Sequence, residues 1–277
     1  MVKLLSAPYG SAIAKERHEL GDNFRLNEVV KRVMSANVNY ADIVMGATFG
    51  ARNILREQNG IEAYRNAIRI QAELLMNSVG FDRQHGFFLG PFTDDCYLAN
   101  GVVHPKVNEA KEFHGEQLSA LEYIDGLPWF EAFPTINDAK GAALAAKTFG
   151  KDVAINFVVS DNGNLRSGES VTDAIRACES VSGGFVRYYG VNCCSYEGAK
   201  NAFLADKTGL LNVFYLNASD QDPSTLEGSC EVVKEDISLR ISQILGLIES
   251  YPRVQVVGGC CGFEIEDLEL LSRQFRR

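Results

Sequence analysis

Short apolar runs that alternate with longer segments of helical periodicity are the feature that most constrains the fold of this chain. The runs predicted as strands are residues 2–5, 41–45, 86–89, 127–131, 153–159, 185–191, 211–216 and 254–257. Most of them are followed by a segment whose apolar residues recur at the spacing of one helical face. Strands that alternate with helices in this way are typical of an α/β protein with a parallel sheet.

Three of the intervening segments have clear helical signals. Apolar residues between Ile237 and Ile248 recur every three or four positions, and the alanine-rich segment 138–149 stops at Gly150. A capping box from Ser170 to Asp173 opens another helix. No linker rich in proline, glycine or serine divides the chain, so we predict one domain over residues 1–277. Its predicted fold is a closed (β/α)8 TIM barrel, with an open doubly wound sheet as the alternative.

Charge and cysteine usage restrict the partners and the compartment. A net charge of −9 argues against a nucleic acid or an anionic membrane as the main partner, because both select a basic surface. The N-terminal residues do not resemble a secretory signal, and no apolar stretch is long enough to cross a bilayer, so we expect a cytoplasmic protein. Its 7 cysteines then indicate metal-binding, catalytic or buried thiols rather than disulfides. Monomer and homo-oligomer both stay open.

Two pairs of adjacent cysteines stand at the ends of predicted strands. Cys193 and Cys194 follow the sixth run, and Cys260 and Cys261 follow the eighth with glycines on both sides. Adjacent thiols of a regular strand point to opposite faces, so both serve one site only where the backbone leaves the strand. Cysteine also packs as a small buried hydrophobe. Because barrel strands converge on one mouth at their carboxyl ends, the pattern favours a shared site for a soft metal.

Other polar residues also end predicted strands. Glu131 closes the fourth run, where its carboxylate is positioned either to bind a substrate ammonium group or to form a salt bridge at the rim. Thr48, after the second run, and Asn217, after the seventh, are weaker substrate-binding candidates because such residues are common in turns. The histidines lack metal-ligand spacing and are not predicted to be ligands; they are His18, His85, His104 and His114.

The two cysteine motifs together resemble the zinc signature of the homocysteine S-methyltransferase family. They are Gly-Val-Asn-Cys at residues 190–193 and Gly-Gly-Cys-Cys-Gly at residues 258–262. Further stretches that agree with the family are residues 41–44, 48–51, 90–91, 113–117, 130–134, 165–168 and 216–219. The resemblance implies a (β/α)8 barrel with Cys193, Cys260 and Cys261 as zinc ligands. Cys194 has no counterpart among those ligands and is interpreted as a packed or neighbouring thiol.

The resemblance also implies an activity of the EC 2.1.1 class. A zinc-dependent methyltransferase would move a methyl group from a cationic donor, of the S-methylmethionine, S-adenosylmethionine or betaine type, to the thiolate of homocysteine, giving methionine. Glu131 would bind the ammonium group of the acceptor, and the zinc-activated thiolate of the substrate is the only catalytic group implied. Folate is not the expected donor, because the folate-dependent members of the family are multidomain proteins.

Two segments depart from the family pattern. Ser6 stands where family members have an aspartate that helps to hold the amino acid substrate, and Met-Gly-Ala at residues 45–47 replaces glutamate, threonine and asparagine. Two alternatives therefore stand beside methionine formation. One is a zinc-binding barrel that has lost conventional turnover, and the other is an enzyme for another small thiol or selenol acceptor.

Overall fold

The computed structural model describes residues 2–6, 26–46, 53–79, 84–98, 102–226 and 233–275. Within these ranges each predicted apolar run overlaps a strand. The strands are β1 (Lys3–Leu4), β2 (Ile43–Gly46), β3 (Gln84–Leu89), β4 (Leu127–Phe133), β5 (Val153–Phe157), β6 (Val186–Cys194), β7 (Leu211–Leu216) and β8 (Val256–Gly259).

All strands run parallel and pair in the order β1-β8-β7-β6-β5-β4-β3-β2. The two strands at the ends of this order, β1 and β2, meet through a parallel bridge between Leu5 and Ile43. Backbone bonds of 3.0 Å from Ser6 N–H to the Ile43 oxygen and 2.8 Å from Asp42 N–H to the Leu4 oxygen close the ring. The predicted (β/α)8 barrel is confirmed, and the open doubly wound sheet is wrong, because its two edges would not meet.

Helices lie between the strands along the chain. Those described are α1 (Leu26–Asn37), α2 (Asn53–Ser78), α3 (Val107–Ala120), α4 (Ile136–Phe149), α5 (Val171–Ser182), α6 (Tyr196–Ala205), α7 (Pro223–Leu226), α8 (Ile237–Ser250) and α9 (Ile265–Phe275). None of these helices is both long and apolar enough to cross a membrane. One domain over residues 1–277 stays a prediction.

The residues predicted to begin, end or bury helices do so in the structure. The Ser170 hydroxyl accepts the Asp173 N–H at 3.1 Å and caps α5, and Gly150, at φ 59°, ends α4. In α8, the predicted face packs against the core: Ile241 and Ile244 are buried, and Ile237, Leu245 and Ile248 are partly buried. These elements fix the barrel wall beneath the carboxyl ends of the strands.

Four strands continue beyond their predicted ends: β2 by one residue, β8 by two, and β4 and β6 through a change of register. β4 runs on to Phe133 and β6 to Cys194, whereas the sequence pattern placed their ends at residues 131 and 191. The pairing register of each shifts at the extension, where Ala132 and Cys193 have φ values of 56° and 49°. Such an extra residue is a β-bulge, which redirects side chains at the end of a strand. Both bulges lie at the barrel mouth.

Candidate metal centre

Three thiols converge at the mouth of the barrel. The sulfur atoms of Cys193, Cys260 and Cys261 all lie within 4.8 Å of one another, with 3.9 Å between those of Cys193 and Cys261. Cys193 and Cys260 are buried, and Cys261 is exposed. Elsewhere in the described ranges, no other group of three or more cysteine, histidine or carboxylate side chains has ligand atoms so close together. The cluster therefore has one side that faces solvent.

The bulge in β6 separates the first cysteine pair. Its register shift falls between Asn192 and Cys194, and the positive φ lies at Cys193. Cys193 joins the other two thiols, whereas Cys194 is fully buried and its pKa is raised to about 12, chiefly by burial. Cys194 is therefore a packed thiol outside the cluster.

The second pair lies in a turn directly after β8. The Cys260 N–H donates to the Leu216 oxygen at 2.6 Å, and the Cys261 oxygen accepts the Ala218 N–H at 2.8 Å. Gly262 has φ 84°, and a Cβ there would lie 2.9 Å from that of Ala218. The glycine is required both for its backbone conformation and for close approach to the loop after β7. This turn brings both thiols to the same side.

Hydrogen bonding among the thiols makes them unequal. Hydrogen bonds from Cys193 and Cys260 hold the pKa of Cys261 well below its ordinary value. The hydrogen bond with Cys260, followed by that with Cys261 and by burial, raises the pKa of Cys193. The exposed thiol is therefore the first of the three to ionise in the absence of a metal.

Glu131 lies in β4 next to its bulge and is only 6% exposed. The Tyr215 hydroxyl donates to its Oε1 at 2.5 Å, and burial raises the pKa of the carboxyl group well above its ordinary value. The following N–H, that of Ala132, donates to Asn192 Oδ1 at 2.8 Å. The Asn192 side chain thus ties the bulge beside Glu131 to the bulge that carries Cys193, a link that the sequence did not indicate.

The structure describes only one of the other two predicted substrate residues, Asn217. Asn217 follows β7, is buried, and neither polar atom of its side chain has a hydrogen-bond partner among the described residues. Its backbone N–H donates to the Cys194 oxygen at 3.0 Å. Thr48 lies outside the described residues.

Ser6, which stands where the resembling family has an aspartate, has a structural contact. It is 1% exposed, and its hydroxyl accepts the Met45 N–H at 3.1 Å. The bond holds β1 against β2 where the ring closes. A serine there supplies no charge to the mouth.

His114 belongs to a buried network that sequence analysis missed. Its Nε2 lies 2.6 Å from Asp138 Oδ1, and its Nδ1 lies 2.7 Å from Gln117 Oε1. The same carboxylate accepts the Phe92 N–H at 3.0 Å, and Gln117 donates to the Gly90 oxygen at 3.0 Å. The network anchors the start of the loop after β3 to helices α3 and α4. The local signals for it were the i, i+3 spacing of His114 and Gln117 and the agreement of residues 113–117 with the family pattern.

Tyr97 is a second residue that the sequence did not single out. It lies in the same loop after β3, and its hydroxyl donates to Cys193 Sγ at 3.6 Å. Its backbone oxygen accepts from Arg166 Nε at 2.9 Å. The loop therefore reaches the thiol cluster itself.

Comparison with known proteins gives one family. The sequence model of a family described as homocysteine S-methyltransferase matches residues 9–275. No curated protein matches the chain in a sequence search.

Solved structures of the homocysteine methyltransferase MmuM from Escherichia coli share the fold at 16% sequence identity. The metallated form covers 99% of this chain and 96% of its own, with a TM-score of 0.76. The oxidised form covers 100% and 96% with a TM-score of 0.72, and the apo form covers the same shares with 0.65. At this identity the likeness concerns the fold alone.

Proposed function

Since the chain belongs to the homocysteine S-methyltransferase family and is a methyltransferase, we propose that it transfers a methyl group from a cationic donor to homocysteine and forms methionine. The donor would be of the S-methylmethionine, S-adenosylmethionine or betaine type. Cys193, Cys260 and Cys261 would hold a zinc ion. The observation that carries the proposal is the convergence of these three sulfur atoms within 4.8 Å at the barrel mouth.

The donor set fits zinc. Thiolates are soft ligands that zinc accepts readily, and three protein ligands with one open position are typical of a catalytic rather than a structural zinc site. Burial of Cys193 and Cys260 with exposure of Cys261 leaves one side of the cluster accessible to a small molecule. When bound there, zinc would supply a fourth coordination position and lower the pKa of a thiol that occupies it.

Glu131 would recognise the ammonium group of the acceptor. The Tyr215 hydroxyl donates to its Oε1 at 2.5 Å. A buried carboxylate without a cation is costly, which is the reason for the raised pKa of Glu131. An ammonium group beside the carboxylate would offset that cost and favour the ionised form of Glu131.

Asn217 would contribute a donor and an acceptor to the bound molecules. Its side chain is buried with both polar atoms unpaired, an arrangement that normally costs stability unless a ligand or water completes it. Its backbone bond to the Cys194 oxygen fixes it next to the strand that carries Cys193. Thr48 is the third proposed substrate residue, on its place after the second predicted strand and on the family pattern at residues 48–51.

A second candidate function is favoured by the contact of Ser6. Its hydroxyl is bonded to the Met45 backbone, so neither position supplies the carboxylates that the family pattern has there. The described mouth therefore has fewer charged groups to hold an amino acid. A barrel that binds zinc but has lost turnover, or that uses another small thiol or selenol, fits this observation.

The test compares variants that differ only in which cysteine is lost. Wild-type protein, Cys260→Ser and Cys178→Ser would be assayed for zinc content and for methionine formed from homocysteine and each of the three donors. Cys178 is a buried cysteine of α5 outside the cluster, so its variant controls for loss of a packed thiol. We expect Cys260→Ser alone to lose zinc and activity. Retention of both by Cys260→Ser would refute the proposal, and zinc binding without product from any donor would favour the second function.

A further inference from the structure

The hydroxyl group of Tyr97 makes a contact that the proposed function leaves unused. It donates a hydrogen bond to Cys193 Sγ at 3.6 Å. Tyr97 lies in the loop between β3 and α3, whereas Cys193 lies in the bulge of β6, so the bond links two separate elements of the barrel mouth. The proposed ligand Cys193 therefore has a polar partner of its own.

The buried guanidinium group of Arg166 binds the backbone of Tyr97. Arg166 is 4% exposed and donates to the Tyr97 backbone oxygen through Nε at 2.9 Å and through Nη2. The same guanidinium pairs with both oxygens of Asp222, at 2.6 and 2.9 Å, and donates to Ser160 Oγ at 3.3 Å. A guanidinium fork bonded on both sides has little freedom, so the backbone of Tyr97 is fixed relative to the loops after β5 and β7.

The aromatic ring has a separate packing role. Tyr97 packs against a small buried cluster of Cys96, Ala132 and Val158. A phenylalanine keeps the apolar ring and lacks only the hydroxyl group. Removal of the oxygen alone therefore isolates the bond to the thiol.

We propose that Tyr97 is a positioning residue of the metal centre, whose hydroxyl orients the Cys193 thiolate and withdraws charge from it while Arg166 and Asp222 hold Tyr97 in place. This role rests on the proposed function. Hydrogen bonds to metal ligands orient them and change their donor strength, and their loss typically lowers metal affinity about 10- to 100-fold. A thiolate without its hydrogen bond is also more electron-rich.

Metal binding would be measured with Zn²⁺ in competition with a chelator, on the full-length wild type, Tyr97→Phe and Tyr189→Phe. Tyr189 is a buried tyrosine of the same strand β6, and its hydroxyl donates to Glu179 at 2.8 Å and not to a thiol of the cluster. We expect Tyr97→Phe to bind zinc about 10- to 100-fold more weakly and Tyr189→Phe to bind it as the wild type does. Asp222→Asn, which keeps the ring and hydroxyl but weakens the clamp, should give a smaller loss.

A spectroscopic readout separates this role from a general loss of stability. With Co²⁺ in place of zinc, the sulfur-to-cobalt charge-transfer band should move to longer wavelength in Tyr97→Phe, because the Cys193 thiolate gives up an electron more easily without its hydrogen bond. The band should stay unchanged in Tyr189→Phe.

Each outcome bears on one conclusion. Equal affinities and spectra for wild type and Tyr97→Phe would overturn the role of Tyr97 and leave the proposed function intact. A loss far above a hundredfold would make the oxygen of Tyr97 a metal ligand and would also overturn its hydrogen-bonding role. A wild-type protein that binds neither ion would overturn the proposed metal centre, and the role of Tyr97 with it.

Discussion

Replacement of Gly259 by alanine tests whether the backbone after β8 is fitted to the thiol cluster. A methyl group on Gly259 would lie 2.7 Å from Phe263 Cβ and closer still to its ring carbons. Phe263 is 1% exposed, and its N–H donates to the Cys260 oxygen at 3.0 Å. The residue that must move is therefore part of the turn that holds Cys260 and Cys261.

The expected loss of unfolding free energy follows from the cost of adding a methyl group to a packed core. Insertion of a methyl group into a packed core typically costs about 1–3 kcal/mol of unfolding free energy. For a protein of this size that lowers the Tm by roughly 2 to 12 °C. Because a shift of Phe263 also moves the carbonyl of Cys260, we expect zinc affinity to fall at least about tenfold as well.

The neighbouring glycine supplies a matched control. A methyl group on Gly258 would come no closer than 3.1 Å to any atom, with Leu5 Cβ the nearest. That contact is tight but is relieved by a shift of a few tenths of an ångström, so urea unfolding and chelator competition should show a clearly larger loss in Gly259→Ala than in Gly258→Ala. If both variants matched the wild type in unfolding midpoint and zinc affinity, the reasoning from close packing behind the turn would be wrong.

Three further predictions concern other parts of the molecule. In α8, Gly246→Ala meets no atom within 4 Å and should raise the unfolding free energy by about 0.5–1 kcal/mol, measured by urea unfolding; a loss would contradict the open surface there. Glu131→Gln should raise the KM for homocysteine about 10- to 100-fold, but leave a thiol without an amino group unaffected. Burial raises the pKa of Glu131 in the folded state, so above the ordinary carboxyl pKa the unfolded state loses this proton more readily than the folded state, and stability falls as the pH rises. Glutamine carries no charge, so Glu131→Gln should not destabilise the free protein. In metal-free protein, iodoacetamide should modify Cys261 well before Cys194 and at lower pH than an ordinary cysteine, as followed by peptide mass spectrometry. Zinc should protect Cys261 from this modification. Equal rates for the two cysteines would contradict the order of their pKa values.

The strands and the barrel could be predicted because their signals are local. Each apolar run is short, and runs such as residues 211–216 coincide with the strand that forms. The glycines around Cys260 and Cys261 likewise indicated a turn, which the φ of Gly262 confirms. These features depend on neighbours in the sequence, so pattern alone finds them.

The bulges and the cross-barrel contacts could not be predicted in the same way. An extra residue at Ala132 or Cys193 leaves the apolar pattern unchanged, so the ends of β4 and β6 were placed too early. Tyr97 and Cys193 are 96 positions apart, and their contact depends on how the barrel closes. No local property of tyrosine distinguishes such a residue from one that only packs.

His114 illustrates the same limit. In sequence it is one of four histidines without ligand spacing, and the agreement of residues 113–117 with the family pattern indicated no partner for it. In the fold its partner Asp138 comes from the next helix, 24 residues away. The pair exists because α3 and α4 pack side by side, and that adjacency follows from the barrel.

The most direct test of the proposed zinc-dependent methyl transfer is metal content with a thiol count on freshly purified protein, followed in the same sample by homocysteine and S-methylmethionine and an assay for methionine. We predict about one zinc per chain, as three thiolate ligands imply, and formation of methionine that is lost on chelation and restored by zinc. Methionine formed at the full rate by metal-free protein, or protein without zinc whose three clustered thiols are all free, would contradict the account.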